Sequence, residues 1–287
     1  MDPLILSSSI VENFIAPRKS TSRKGENGIV LVVGGSYIYH GAPILSSLAA
    51  LRTGTDLVYT CVPKINVVST RSVSPNLIVI PLVDQKLTLG AVKKLIGALP
   101  RNLHSATIGM GLAIQEKNSL LHLVKSLLDR DVRLSLDASA LIPEVLPILA
   151  NKNVVVTPHA GEFKRLFGDI PSNSISERIE LVKQNASKYG ITILLKGPTD
   201  IISDGNMTYL CEKNTPAMTV GGTGDVLSGL VAGLLTTNRN CLESAATASF
   251  ICGLAGKEIQ DKLGLHMTSM DLIDCIPSIM KPFDKII

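Results

Sequence analysis

Strand-like and helix-like segments take turns along almost the whole chain, and that alternation leaves few folds open. The run from Gly28 to Val33 is apolar at every position after its glycine, which predicts a strand covered on both faces, as in a parallel sheet. It ends at Gly34-Gly35-Ser36. Helical spacing from Ala42 to Thr53 and β-rich chemistry from Asp56 to Val62 complete a βαβ opening. Further strands are expected over Leu77 to Ile80, Ala106 to Gly109, Val132 to Leu136, Val154 to Thr157 and Ile191 to Leu195. Between them fall helices over Thr88 to Leu99, Lys117 to Arg130, Gly161 to Phe167 and Ser174 to Tyr189. A hairpin through Asp200 to Ser203 and Met207 to Cys211 precedes three helices, Asp225 to Leu235, Leu242 to Leu263 and Met270 to Ile279. The order predicts one α/β domain over residues 1–287, with a central, mostly parallel sheet and helices on both faces. Residues 1–24 read as a polar, basic lead-in. Ligands of such a sheet sit beyond the carboxyl ends of the strands, where the glycine-rich turns converge.

Composition narrows the function. The 28 basic and 24 acidic residues are interleaved and leave a net charge of +4, so no long-range field favours nucleic acid, while a small anion stays possible. Five cysteines, Cys61, Cys211, Cys241, Cys252 and Cys275, form no C-x-x-C pair, and their odd number argues for reduced thiols in the cytoplasm. The apolar run Leu4 to Leu6 is too short for a signal segment, and no stretch approaches the roughly 20 residues of a membrane span. A soluble, unprocessed protein is expected.

The sharpest motif is Val220-Gly221-Gly222-Thr223-Gly224-Asp225, which runs straight into the apolar helical segment from Val226. Glycines let backbone amides approach an anion, and a helix start adds free N–H donors and the positive end of the helix dipole. Gly222, Thr223 and Gly224 are thus candidates for an anion hole, and Asp225 for a base beside it. Alternatively, Asp225 is a first-turn helix residue and the glycines a tight loop. The loop lacks the G-x-x-x-x-G-K-[ST] pattern and is not a P-loop.

A second motif, Thr157-Pro158-His159-Ala160-Gly161-Glu162, stops the Val154 strand and presents an imidazole and a carboxylate to the crevice. Glu162 can hold a magnesium ion or serve as a first-turn helix carboxylate, and His159 can hydrogen-bond a ligand or be an ordinary surface or core histidine. A third, Lys196-Gly197-Pro198-Thr199-Asp200, follows another apolar strand and either cradles a nucleotide or forms a solvated turn. Asp137, at the end of the Val132 strand, either orients a metal or caps a helix from Ala138 to Ile142. Gly109-Met110-Gly111 opens like a G-x-G-x-x-G fingerprint, but Ile114 stands at its third glycine, and a Rossmann dehydrogenase would require the fingerprint after the first strand with an acidic residue about twenty positions on, an arrangement this sequence lacks.

Taken together in this order, GIVLVVGGS, HGAP, ALRTGTDLV, IGMGL, LDASAL, TPHAGEF, LKGPTD and GGTGDVLSG resemble the ADP- or ATP-dependent NAD(P)H-hydrate dehydratases from about Lys24 to Pro277. The resemblance implies a ribokinase-like fold and a reaction in which the hydroxyl of the hydrated nicotinamide ring is phosphorylated and phosphate is then eliminated, restoring NADH or NADPH. It implies that Asp225 acts as base and lines the hydrate pocket with Ala42, Gly109, Gly111 and His159. It also places the adenosine nucleotide on Lys196, Gly197, Pro198, Thr199, Asp200 and Gly224, with Mg2+ near Glu162. Ser139 departs from the acidic or glycine residue of many relatives in the LDASAL segment. With only two dozen residues before the first strand, the epimerase activity that many relatives carry is expected on a separate chain, and a homo-oligomer, a tetramer by resemblance, is expected here. The main rival is a kinase of the same superfamily acting on a vitamin precursor or sugar hydroxyl, which would release a stable phosphate ester. A regulatory nucleotide-binding module would need a damaged catalytic loop, whereas GGTGD is intact.

Overall fold

Among the described residues, ten strands join in one sheet. They are β1 (Leu4–Ile5), β2 (Ile29–Val33), β3 (Leu57–Pro63), β4 (Leu77–Leu82), β5 (Ser105–Ile108), β6 (Arg133–Leu136), β7 (Val154–Val156), β8 (Thr192–Leu195), β9 (Thr199–Ser203) and β10 (Thr208–Glu212). The structure is a computed structural model and describes residues 2–171, 173–213, 215–238 and 240–287. Sheet order is β1-β10-β9-β8-β7-β6-β5-β2-β3-β4. Every pair is parallel except those that β9 makes with β8 and β10. The chain runs outward from β2 to β3 and β4, then returns to the other side of β2 with β5. That reversal opens a crevice at the carboxyl ends of β2 and β5, the usual ligand position in an open α/β sheet.

Helices are α1 (Ser8–Phe14), α2 (Gly41–Arg52), α3 (Val67–Val73), α4 (Leu89–Ala98), α5 (Lys117–Leu128), α6 (Leu146–Leu149), α7 (Ala160–Phe167), α8 (Ile175–Tyr189), α9 (Thr223–Thr237), α10 (Cys241–Leu263) and α11 (Ser269–Met280). The alternation of side chains along β2 sorts them into two layers. Ile29, Leu31 and Val33 face a core shared with α4, α5, α7 and α8, while Val30 and Val32 face a core that includes Ala50 of α2 and Ala232 of α9. A third cluster joins α1, α9, α10 and α11 on that second side. Both faces are therefore covered, which is why the strands read as unbroken apolar runs.

Three segments differ from the sequence expectation. The lead-in is part of the fold: β1 pairs with β10, Ser7 caps α1 by accepting from Ile10 N at 3.4 Å, and Val11 is fully buried. A two-residue strand and a seven-residue helix are too short to show a period. Helix α3, rich in β-branched and hydroxyl residues, has poor intrinsic propensity and is held by its surroundings, with Thr70 Oγ1 donating to Asn66 O at 2.7 Å. From Ala138 to Ala140 the chain makes only a 3-10 turn, and Asp137 at its start makes no side-chain cap. The capping role considered for Asp137 is thereby corrected.

Candidate active site

Parallel strands deliver three polar side chains to the same end of the sheet, Asp137 after β6, His159 after β7 and Lys196 after β8, and the first turn of α9 adds Asp225. Lys196 is their hub. Its Nζ lies 2.8 Å from Asp137 Oδ1 and 3.6 Å from Glu162 Oε2, and the Asp137 side chain is only 3% exposed. The strand end that carries the lysine is fixed by Lys196 N donating to Pro158 O at 2.8 Å.

His159 and Glu162 form a reciprocal cap at the start of α7. His159 Nδ1 accepts from Gly161 N at 3.0 Å and Glu162 N at 3.3 Å, and His159 N donates to Glu162 Oε2 at 2.9 Å. With Nδ1 used as an acceptor, the neutral ring carries its proton on Nε2, a donor that lies 3.5 Å from Glu162 Oε1 on a largely exposed side chain. Glu162 is thus a first-turn helix carboxylate, and it also pairs with Lys196.

Asp225 stands apart electrostatically. Burial pushes its carboxyl up to about 7, the Asp137 and Glu162 carboxylates add to that, and Lys196 opposes them. For Lys196, burial alone would lower the ammonium, yet the adjacent Asp137 and Glu162 hold it above its ordinary value.

The loop before α9 has the form expected of an anion cradle. Gly222 adopts φ 95°, a left-handed conformation, and no side chain caps the helix. Its first intrahelical bond runs from Val226 N to Gly222 O, so the amides of Thr223, Gly224 and Asp225 precede the helical ladder and point out of its start. Thr223 Oγ1 donates to Met218 O at 3.0 Å and Val220 O at 3.2 Å, which leaves its amide, rather than its hydroxyl, for an anion. Ser269 Oγ donates to Gly221 O at 2.7 Å and braces the loop from α11. A Cβ on Gly222 would fall 2.6 Å from Leu45 Cδ1 and 2.7 Å from Ser269 Oγ. Gly222→Ala is therefore expected to cost about 1–3 kcal/mol and to weaken ADP binding, measured by thermal unfolding and calorimetric titration; an unchanged ADP affinity would show that this loop does not hold phosphate.

A cavity of about 530 Å3 flanks this loop, lined by Lys196, Gly197, Pro198, Thr223 and Gly224, with apolar walls from Met218 and Leu227. Of the LKGPTD residues, Thr199 begins β9 and Asp200 lies behind the cavity, fully buried. Asp200 Oδ1 accepts from Gly197 N at 3.0 Å, while Oδ2 meets Ser249 Oγ at 2.7 Å and Lys213 Nζ at 2.6 Å. Asp200 orders the loop rather than lining the space. Lys213 also lines the cavity and went unnoticed in the sequence, where a lysine between β10 and a loop carries no signal. Gly109, Gly111 and Ala42 are closely packed. Gly109, at φ 125°, admits the Asp137 carbonyl where any Cβ would collide with it, and a Cβ on Gly111 would lie 2.7 Å from Tyr39 Cβ and 3.3 Å from Ala42 Cβ. Lys196 also reaches the start of α9, where a Cβ on Gly224 would sit 3.5 Å from Lys196 Nζ.

Comparison with known proteins identifies the family. A protein from Nitrosopumilus maritimus described as an ADP-dependent (S)-NAD(P)H-hydrate dehydratase is 80% identical over 98% of this chain and 98% of its own length. A Bacillus subtilis ADP/ATP-dependent NAD(P)H-hydrate dehydratase co-crystallised with ATP/Mg2+ superposes with a TM-score of 0.86 at 26% identity, covering 99% of this chain and 100% of that one. A ribokinase-like superfamily protein from Enterococcus faecalis superposes with a TM-score of 0.81 at 25% identity, over 98% of this chain and 96% of that one. The family model described as NAD(P)H-hydrate dehydratase matches residues 30–278, the span that contains every residue placed around the crevice, and this chain, with its ribokinase-like fold, belongs to that family.

Proposed function

We propose that the chain dehydrates the S epimer of hydrated NADH and NADPH, with ADP as the phosphoryl donor. The observation that carries this reading is Asp225: a largely buried carboxyl raised to about 7 on the first turn of an uncapped helix whose start, at Thr223 and Gly224, lines a cavity of about 530 Å3. A base with that affinity for a proton is matched to deprotonating an alcohol near neutral pH. The ring hydroxyl oxygen bonds to the terminal phosphorus of ADP, Asp225 takes its proton, and AMP leaves. The C–O bond then breaks with its electron pair departing on phosphate, and loss of a proton from the adjoining ring carbon restores the double bond. Lys196 and the amides of Thr223 and Gly224 hold the transferring group, and the donor Nε2–H of His159 orients the hydrate.

Among the described residues no three such side chains are placed to hold a metal by themselves, while Asp137 and Glu162 supply two hard carboxylate groups beside Lys196. That donor set fits Mg2+, which commonly takes one or two carboxylates together with substrate phosphates. Glu162 and Asp137 would hold it, and when bound it supplies charge neutralisation at the phosphates. ADP is favoured as donor because the relative at 80% identity is described by that dependence.

The direct test incubates hydrated NADH with magnesium and either ADP or ATP and follows recovery of reduced-nicotinamide absorbance. Dehydration restores it, whereas a kinase leaves a stable phosphate ester and no recovery. On the acid side, kcat/KM is expected to fall about tenfold per pH unit below about 7 and to level above it, because only ionised Asp225 accepts the proton. A rate that stays flat down to pH 5 would remove Asp225 as the base.

A further inference from the structure

Arg178 lies in the first turn of α8, at the positive end of that helix, where the dipole opposes a cation. It is partly buried, its Nε is closed off from solvent without a hydrogen-bond partner, and its guanidinium makes no ion pair among the described residues. A guanidinium carries five N–H donors and a permanent charge. Holding one partly out of water with nothing to accept from it is costly, and the cost is relieved when an anion meets it.

Its position says where that anion comes. The guanidinium rests on the loop between β8 and β9: a Cβ on Gly197 would lie 3.2 Å from Arg178 Nη2 and 3.8 Å from its Cζ, so the absence of a side chain at Gly197 is what lets the group come down on the loop. Gly197 also lines the cavity of about 530 Å3. Two other cations stand at that wall, and both are matched within the fold, Lys196 by Asp137 and Glu162, and Lys213 by Asp200. Of the three, only Arg178 keeps its whole charge for a ligand.

A planar fork of donors suits an anion whose oxygens can accept in pairs, and phosphate is such a group. We infer that Arg178 binds the phosphate chain of the nucleotide at the Gly197 side of the cavity and so favours ADP over the uncharged nucleoside. The inference deepens the reading of that cavity as a nucleotide site and rests on it.

The test titrates ADP and adenosine by calorimetry into wild type, Arg178→Met and Arg178→Lys. Losing a hydrogen bond to a charged group typically weakens binding roughly 10- to 100-fold. ADP affinity is expected to fall by that factor in Arg178→Met and by less in Arg178→Lys, which keeps the charge but not the fork, while adenosine affinity holds in both. The melting temperature of Arg178→Met is expected to hold or rise, because the Nε it removes has no partner to lose. An equal loss of ADP and adenosine affinity, the result expected of a residue that merely braces the loop, overturns the inference, as does a lowered melting temperature with the ADP-to-adenosine ratio unchanged. Wild type that binds neither ligand refutes the nucleotide reading of the cavity, whereas wild type that binds ADP with an affinity untouched by Arg178→Met refutes this inference alone.

Discussion

Asp225→Asn is expected to lower turnover by roughly 10^3-fold while leaving ADP affinity within about twofold of wild type. The amide matches the carboxyl in shape but cannot accept the hydroxyl proton, and the phosphates rest on Lys196 and on backbone amides that the substitution does not touch. The same variant makes a thermodynamic signature. Asp225 titrates near 7 when folded, against an ordinary value of 3.8. A carboxyl whose folded value is raised costs nothing below its unfolded value, costs progressively more as pH rises between the two, and carries a constant penalty above the folded one. Removing the charge should therefore stabilise the protein by on the order of 2–4 kcal/mol above pH 7, with the gain shrinking toward zero below pH 4. Initial rates, ADP titration and melting temperatures at pH 4, 6 and 8 check all three consequences. Near-normal rates would take Asp225 out of the chemistry; equal melting temperatures at pH 8 would show that its carboxyl is not held under strain.

Much of this was readable before any coordinates, and the reasons are specific. The parallel sheet announced itself because β2, β5 and β7 are covered on both faces and admit no polar residue that would break the run, apart from small hydroxyls such as Ser105 and Thr107. Ser105 Oγ donates to Ala232 O at 2.6 Å and Thr107 Oγ1 meets Ser228 Oγ at 2.6 Å, so these hydroxyls tie β5 to α9 without unsatisfied groups. Gly222 to Asp225 was legible because an anion cradle at a helix start requires glycine before the helix and tolerates little else. The roles of Asp137 and Asp200 were not, since an aspartate after a strand looks the same whether it caps a turn, binds a ligand or pairs with a lysine brought from 59 residues away, as Lys196 is. Lys213 was invisible for the same reason: its partner Asp200 comes from β9 and is itself held by Ser249 of α10, and only the closed fold sets them together.

Asp200→Ala is expected to destabilise the fold by about 3–5 kcal/mol and to weaken ADP binding by at least roughly tenfold. The carboxylate has no exposure, and each of its oxygens is engaged by Gly197 N, Ser249 Oγ or Lys213 Nζ. Its removal leaves the Lys213 ammonium, whose side chain is 12% exposed, without its counter-charge. In wild type, burial would lower Lys213, but Asp200 and the other groups around it hold it above its ordinary value. Without Asp200 the burial effect wins, so the folded lysine gives up its proton more readily than the unfolded one. A base with a depressed folded value costs stability while it must stay charged, and the cost shrinks as pH rises. The deficit of Asp200→Ala should accordingly be largest near neutral pH and smaller near pH 10. If the buried charge is the cause, Asp200→Ala combined with Lys213→Met should recover most of the lost stability, because an apolar side chain of similar length replaces the stranded ammonium. ADP affinity should not recover with it, since the amide of Gly197 would still lack the acceptor that sets the loop under the nucleotide. Denaturant unfolding of the two single variants and the double gives the coupling energy. A double variant no more stable than Asp200→Ala would assign the loss to the Gly197 and Ser249 bonds, and full recovery of ADP binding would show that the loop does not need its buried anchor.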